Sequence, residues 1–353
     1  MKSIKTQLLL FGFVLIQTAL HGQLGGNRVF PFLNMPTGAR MASLGNYTNA
    51  TADRSVDFAI TNPALANASM LGVYSLQQGL LPSGINFGSF STALPLKKGI
   101  LVPYIRYVSY GTFQGYDAIG NTTNTFGAFD FNAGTSFAHV LNPVFSLGVN
   151  AGVVGSYLET YASYGVVGSF SVQYRAKNEL IHATLLAKNI GVQLKGYTQG
   201  QAFNPLPLEI QAALSLKLKH APFRFTFLAH HLNQWKIGYF DPSILPSIDG
   251  LTGDTIQPPS VGFLEQLGRH FAINAELITQ GALQIRIGFD YHRRQELKLE
   301  QRPGMAGLSL GIGLNFRKFH LDYGLMVFSR AGIQNSLGIS TKLSDWKKSG
   351  GKP

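Results

Sequence analysis

The 353-residue chain has no cysteine. That excludes a disulfide framework, a thiol nucleophile and a lipid-anchored N-terminal cysteine, and it is compatible with transit through an oxidising periplasm. Charge is scarce as well: Asp, Glu, Lys and Arg make up 13%, against roughly 25% in soluble proteins. Beyond the N-terminus no run approaches the ~20 apolar residues that a membrane-crossing helix needs. No stretch interleaves dense Arg and Lys with aromatics as a single-strand binder would, so no nucleic-acid partner is expected.

The place of the missing charge is taken by 40 glycines and by Ser, Thr, Asn and Gln. That mixture suits strands with one lipid face and one uncharged polar face. The formal net charge of +12 points to an anionic partner, which for a membrane protein means lipid phosphates. The N-terminus reads as a cleavable export signal over residues 1–22. Met1-Lys2-Ser3-Ile4-Lys5 is basic, residues 8–16 are apolar, and Thr18-Ala19-Leu20-His21-Gly22 ends in small residues suited to a peptidase. Loss of Lys2 and Lys5 leaves +10 of the +12. An exported chain without a spanning helix either stays soluble or crosses a membrane as a closed barrel, in which every backbone group finds a partner.

Alternation decides for the barrel. In Leu283-Gln284-Ile285-Arg286-Ile287-Gly288-Phe289-Asp290-Tyr291-His292 the odd positions are large and apolar and the even ones polar or Gly. A period of two means that opposite faces meet different surroundings. The same pattern, strong or weak, covers 73–77, 87–94, 100–110, 129–137, 145–153, 164–174, 180–190, 208–218, 223–231, 271–278, 308–316, 319–327 and 335–343. The fold class is therefore all-β: a transmembrane antiparallel β-barrel of about 14 strands, spanning residues 70–344. Connections after even strands are short, around Lys97-Lys98, Asn142-Pro143, Ala176-Lys177, Lys219-His220, Thr279-Gln280 and Arg317-Lys318. Those after odd strands are mostly longer, as at 111–128, 192–205, 234–270 and 293–305. Short periplasmic turns and long outer loops produce this parity. Segment 234–270 reads as the largest outer loop, or else as a periplasmic insertion. Residues 23–69 do not alternate; Val29, Phe30, Phe32, Leu33, Met35 and Met41 give them apolar anchors, so they read as a plug, or hatch, in the lumen. Residues 345–353 form a charged periplasmic tail.

Chemical motifs are weak. Gly307-Leu308-Ser309-Leu310-Gly311 fits a nucleophile elbow, but that motif needs a sharp strand-to-helix turn, and here the alternation runs on through Ile312 and Leu314. His230-His231 would place two rings on opposite faces of a strand, where they cannot share a metal. No catalytic residue, metal site or cofactor is therefore expected. Arg224, Glu276, Arg286, Asp290, His320 and Asp322 fall on inward positions, where charges must pair or meet water; they read as an ion-pair lattice holding the plug, or as a polar path. Arg293, Arg294, Lys298, Arg302 and Arg330 fall in outer loops, where they would either bind lipopolysaccharide phosphates or form a solvated rim.

The stretch GGNRVFPFLNMPTGARMASLGN, followed by AITNPALAN, resembles the start of the PorV/PorQ group of FadL-like barrels. LAKNIGVQLK, PLPLEIQAALSLKLKHAPFRFTF, LGRHFAINAEL and AGLSLGIGLNF follow in the order of that group, and Asn62, Pro63 and Ala64 match its hatch motif. His220-Ala221-Pro222-Phe223-Arg224 with HHLNQW is similar to the PorQ branch. The resemblance covers nearly the whole mature chain. It implies fourteen strands around a hatch, and a non-enzymatic role in the outer membrane. That role is in the type IX secretion system, in an attachment complex with PorU, PorV and a PorZ-like surface protein that processes cargo and joins it to lipopolysaccharide. The fold alone leaves open a FadL-like channel for hydrophobic small molecules. The chain departs from many such barrels in lacking a terminal aromatic, and Thr341 stands where an apolar residue is expected in the last strand.

Overall fold

A computed structural model describes residues 28–47, 50–51, 53–200, 202–238, 247–248, 255–256, 261–279, 282–298, 304–329 and 332–346. The expected export signal, residues 23–27 of the expected plug, and the end of the expected tail lie outside these.

Fourteen strands form the wall: β1 (Val73–Leu80), β2 (Asn86–Thr92, resuming over Leu94–Leu96), β3 (Gly99–Tyr116), β4 (Thr122–Val140), β5 (Phe145–Leu158), β6 (Tyr161–Arg175), β7 (Ile181–Lys195), β8 (Glu209–Lys217), β9 (Phe223–Ala229), β10 (Phe271–Ile278), β11 (Leu283–Asp290), β12 (Leu308–Asn315), β13 (Phe319–Ser329) and β14 (Gly332–Lys342). Each pairs antiparallel with its neighbour, and β1 pairs with β14 from Val73↔Lys342 to Leu80↔Asn335, which closes the sheet. The expected strand number and closure are borne out. The burial pattern is that of a soluble protein turned inside out. In β11 Leu283, Ile285 and Ile287 are exposed on the outside, whereas Arg286 and Asp290 are buried inside. Only lipid outside and a polar lumen make that arrangement stable.

Closure with fourteen strands also fixes the parity, so 230–270 leaves and re-enters on the outer side. Its described parts include a two-stranded hairpin (Ser247–Ile248 with Thr255–Ile256) and a short helix, Phe263–Gly268. The expected outer loop at 111–128 is different. β3 and β4 run on through it as a ladder, with bulges near Ser109–Thr112 and Gln114–Tyr116, and turn only at 117–121. Phe113 stacks on Phe126 across the ladder, ring centroids 5.5 Å apart, which supplies the cross-strand packing that carries the pairing on. These strands of 18 and 19 residues far exceed the ~9–11 needed to span, so the hairpin rises above the membrane surface.

At the other end Thr341 has a polar task. Its hydroxyl donates to the Lys318 carbonyl at 2.7 Å and accepts from Trp346 Nε1 at 2.7 Å. Trp346, in the turn Leu343–Trp346, also receives the Lys318 ammonium over its ring at 4.6 Å. An aromatic anchor thus stands just past the last strand.

Inside the wall lie the described residues of the segment 28–72. They form a tight turn at Pro31–Asn34, helix α1 (Ala39–Ser43), helix α2 (Phe58–Thr61) and turns at Pro63–Leu65 and Ala68–Met70. Val29, Phe30, Phe32 and Leu33 pack on Phe87, Val108, Val154, Val167 and Leu206 of the wall and its outer loops. Wall glycines let this segment come close. A Cβ on Gly324 would lie 2.1 Å from the Ala39 carbonyl oxygen, and one on Gly148 2.0 Å from Ala64 N. Gly324→Val is expected to push α1 off β13 and lower the unfolding temperature of the detergent-solubilised barrel, at a cost of about 1–3 kcal/mol. Unchanged heat-dependent gel mobility would contradict the close packing.

Candidate functional site

Register builds a charge cluster from the wall. Arg224 on β9 pairs with Glu276 on β10, and Glu276 with Arg286 on β11. Arg286 then reaches across β12, where a Cβ on Gly313 would sit 2.6 Å from its Nη2, to bond Asp322 on β13. His320 Nε2 lies 3.0 Å from the other oxygen of Asp322. The inner segment adds Arg40, whose Nη2 is 2.6 Å from Glu276 Oε2 and whose Nη1 is 2.6 Å from Asp53 Oδ2. Arg224 Nη1 stands 3.2 Å from Glu276 Oε1 and 3.6 Å from Asp53 Oδ2; Arg286 Nε is 3.6 Å from Glu276 Oε2. Three guanidiniums face three carboxylates, so the buried cluster is balanced, as buried charge must be. Burial opposes ionisation of Arg40 and Asp53, but the opposite charges outweigh it: Arg40 is held protonated well above the ordinary guanidinium range, and Asp53 well below the carboxylate range.

Five of the six inward residues expected from alternation meet in this network. Asp290 does not. It lies at the outer end of β11, accepts from Arg293 N at 3.1 Å at the start of helix Tyr291–Leu297, and stands 3.9 Å from His230 Nε2. Alternation could not find Arg40 or Asp53, because the inner segment has no period. It also passed over Lys188 and Glu209, register partners on β7 and β8 whose charged atoms are 3.0 Å apart. Arg106 of β3 donates to the Met35 carbonyl at 2.8 Å, a second tie to the inner segment.

The hatch motif sits against β5, β6 and β7. Asn62 Nδ2 donates to Thr184 Oγ1 at 3.0 Å and Ala64 N to Ser171 Oγ at 2.8 Å. Pro63 opens the turn at a position that needs no N–H. Ser309 is buried in mid-strand, and its Oγ has no hydrogen-bond partner among the described residues, so no base activates it. Among the expected outer-loop cations, Arg293 is a correction. Arg293 turns inward, 3.6 Å from Asp290, bonded to the Gly45 carbonyl at 3.2 Å and over the Phe328 ring; Arg294 bonds the Gly304 carbonyl at 2.6 Å. Helix formation right after β11 points both at nearby acceptors. Lys298 remains exposed; Arg302 and Arg330 lie outside the described residues.

A cavity of 470 Å³ opens at the periplasmic end, lined by Arg40, Asp53, Arg224, Arg317, Lys318 and His320 among others. The apolar grooves at Ile312, Leu321 and Ile339, and at Phe225, Ile273 and Ile287, lie on the lipid-facing wall instead.

The sequence matches no protein-family model and no curated protein. Solved structures share its shape. CymD, a monoaromatic hydrocarbon channel, superposes with a TM-score of 0.52 at 12% identity, over 87% of this chain and 97% of its own. The toluene transporter TodX of Pseudomonas putida gives 0.50 at 10% identity, over 87% and 96%. A FadL homologue of Pseudomonas aeruginosa gives 0.52 at 8%, over 87% and 98%. The protein has the fold of the FadL-like outer-membrane barrels. At such identities the likeness concerns the fold alone.

Proposed function

We propose that this FadL-like barrel is a non-enzymatic scaffold of the type IX secretion attachment complex. Its outer face would hold a PorZ-like surface protein beside PorU and PorV while cargo is processed and joined to lipopolysaccharide. The observation that carries this is the β3–β4 hairpin. It projects past the membrane with Phe113, Tyr116 and Ile119 exposed, Ile119 to 84%, where no lipid covers them. Exposed apolar side chains in such a place mark a protein contact. The resemblance of the sequence to the PorQ branch supplies the identity of the partner. In a pull-down from solubilised outer membrane, the wild type is expected to retain the PorZ-like protein and Tyr116→Asp with Ile119→Asp to lose it. Equal recovery would remove the hairpin from the interface; no such partner at all would remove the scaffold reading.

The solved neighbours support a second reading, a channel for hydrophobic small molecules, more directly than they support the first. Its observation in this chain is the apolar seat of Val29, Phe30, Phe32 and Leu33 near the outer end, which a small apolar solute could take over. The charged cavity at the periplasmic end counts against a continuous apolar path. Toluene uptake by liposomes containing the barrel, abolished by cross-linking the inner segment to the wall, would favour the channel over the scaffold.

A further inference from the structure

The two adjacent histidines do not lie on opposite faces. β9 ends at Ala229, and His231 adopts a left-handed backbone, φ 54°, so the period-two rule stops one residue before it applies. The turn brings the rings together: His230 Nδ1 and His231 Nδ1 are 2.7 Å apart, and His231 Nδ1 is 3.6 Å from Glu209 Oε1. One ligand atom from each of these three residues lies within 4.8 Å of the other two. His292 stands beside them, its ring centroid 5.8 Å from that of His231, and its Nδ1 has no hydrogen-bond partner among the described residues.

We propose that Glu209, His230 and His231 form a binding site for a divalent transition-metal ion of the zinc type at the outer end of the lumen, with His292 placed to supply a fourth ligand.

The ligand set is the imidazole and carboxylate mixture that such ions take at about 2.0–2.2 Å. Tetrahedral ligands at that range stand roughly 3.3 Å apart, so the pair must open by a little more than half an ångström. His231, whose side chain is 21% exposed, has room to move and gives the ion a way in. Without an ion, one Nδ1–H donates to the other Nδ1. Binding requires only that this imidazole pass to its Nε2–H tautomer, with no net loss of a proton.

The surroundings fit a metal better than a bare histidine pair. His230 Nε2 is buried without a hydrogen-bond partner among the described residues, yet it faces Asp290 Oδ1 at 3.9 Å. An outer carboxylate taking the second ring N–H is the usual way a ligating histidine is oriented. Glu209 is fixed in turn by Lys188 at 3.0 Å and Gln211 at 2.7 Å. His270 is not a ligand: its two ring nitrogens meet the carbonyls of His230 and Trp235 at 2.8 and 3.0 Å. The ion would clip the start of β8 to the start of the largest outer loop, around Tyr47 of the inner segment, which stacks on His230 at 4.3 Å. The site stands whichever function the barrel serves.

Untagged, folded barrel in detergent is titrated with Co²⁺ and followed by visible absorption, with metal content measured after gel filtration. One equivalent with a tetrahedral cobalt spectrum is expected. His231→Asn suits the left-handed backbone and should abolish the spectrum while leaving heat-dependent gel mobility intact. Asp290→Asn keeps a side chain able to cap the following helix and should weaken binding about 10–100-fold. Lack of stoichiometric binding by the wild type, or an unchanged spectrum in His231→Asn, overturns the site. Should His231→Asn fail to fold, unchanged affinity in Asp290→Asn does so.

Discussion

Replacing Glu276 with Gln is expected to release the inner segment from the wall. Among the described residues, Glu276 is the only carboxylate that touches all three guanidiniums of the network, Arg40, Arg224 and Arg286. It is fully buried, as is Arg286. Without its charge, three cations face Asp53 and Asp322 alone. Breaking a buried pair from one side costs about 3–5 kcal/mol, because the other charge stays buried and uncompensated. Arg40 has a way out that the wall arginines lack: it belongs to the inner segment and can leave with it. The variant should therefore keep its barrel while Arg40 and Arg54 become cleavable by trypsin in the folded, detergent-solubilised protein. Intact inner segment at wild-type trypsin concentrations would show that apolar packing at Val29–Leu33 holds it without the network. The same variant bears on function. Release of the segment with retention of the PorZ-like partner is the result a scaffold gives; a rise in toluene uptake is the result a channel gives.

The wall was legible in the sequence because it obeys one rule. Lipid outside and polar contacts inside impose a period of two, and fourteen alternating segments stand where fourteen strands are found. Turn parity was legible for the same reason, since both ends of an even-stranded barrel lie on one side. Five inward charges could be named from their even positions. What pairs with them could not, because Arg40 and Asp53 belong to a segment whose shape is set by the wall and not by its own period. The β3–β4 extension was missed because Gly111, Gly115 and Gly127 look like loop punctuation, whereas here they lie in the ladder near Phe113 and Phe126, whose stacking continues it. His230 and His231 were misjudged for a related reason. Alternation holds only while the strand does, and a single left-handed residue at its end turns two faces into one. The glycines of β12 and β13 signalled alternation, but not that their missing side chains make room for Arg286 and α1.

Asp57 gives the inner segment a dependence on pH that the ion network does not. Its carboxyl is pushed up from the ordinary 3.8 to about 7, first by burial and then by repulsion from Asp322, with Arg40 pulling the other way. Its Oδ2 is buried without a hydrogen-bond partner among the described residues, and it caps no backbone N–H of α2. Once the segment leaves the lumen, Asp57 meets water and regains an ordinary carboxyl. Between about pH 4 and pH 7 the seated segment therefore binds the proton that the released one has lost, so seating weakens as pH rises, by about 1.4 kcal/mol per unit. Below that window both states are protonated and the contribution is fully present; above it both are ionised and the loss is complete, at roughly 4 kcal/mol. An amide in place of this carboxyl cannot ionise. Asp57→Asn should match the wild type at pH 4 and seat the segment more firmly at pH 8, with the difference growing through the window between. Trypsin cleavage at Arg54, measured for both proteins from pH 6 to pH 9, and unfolding temperatures from pH 4 to pH 9 give the difference curve. Because the two proteins differ only at this side chain, parallel curves would mean that Asp57 is ionised in place.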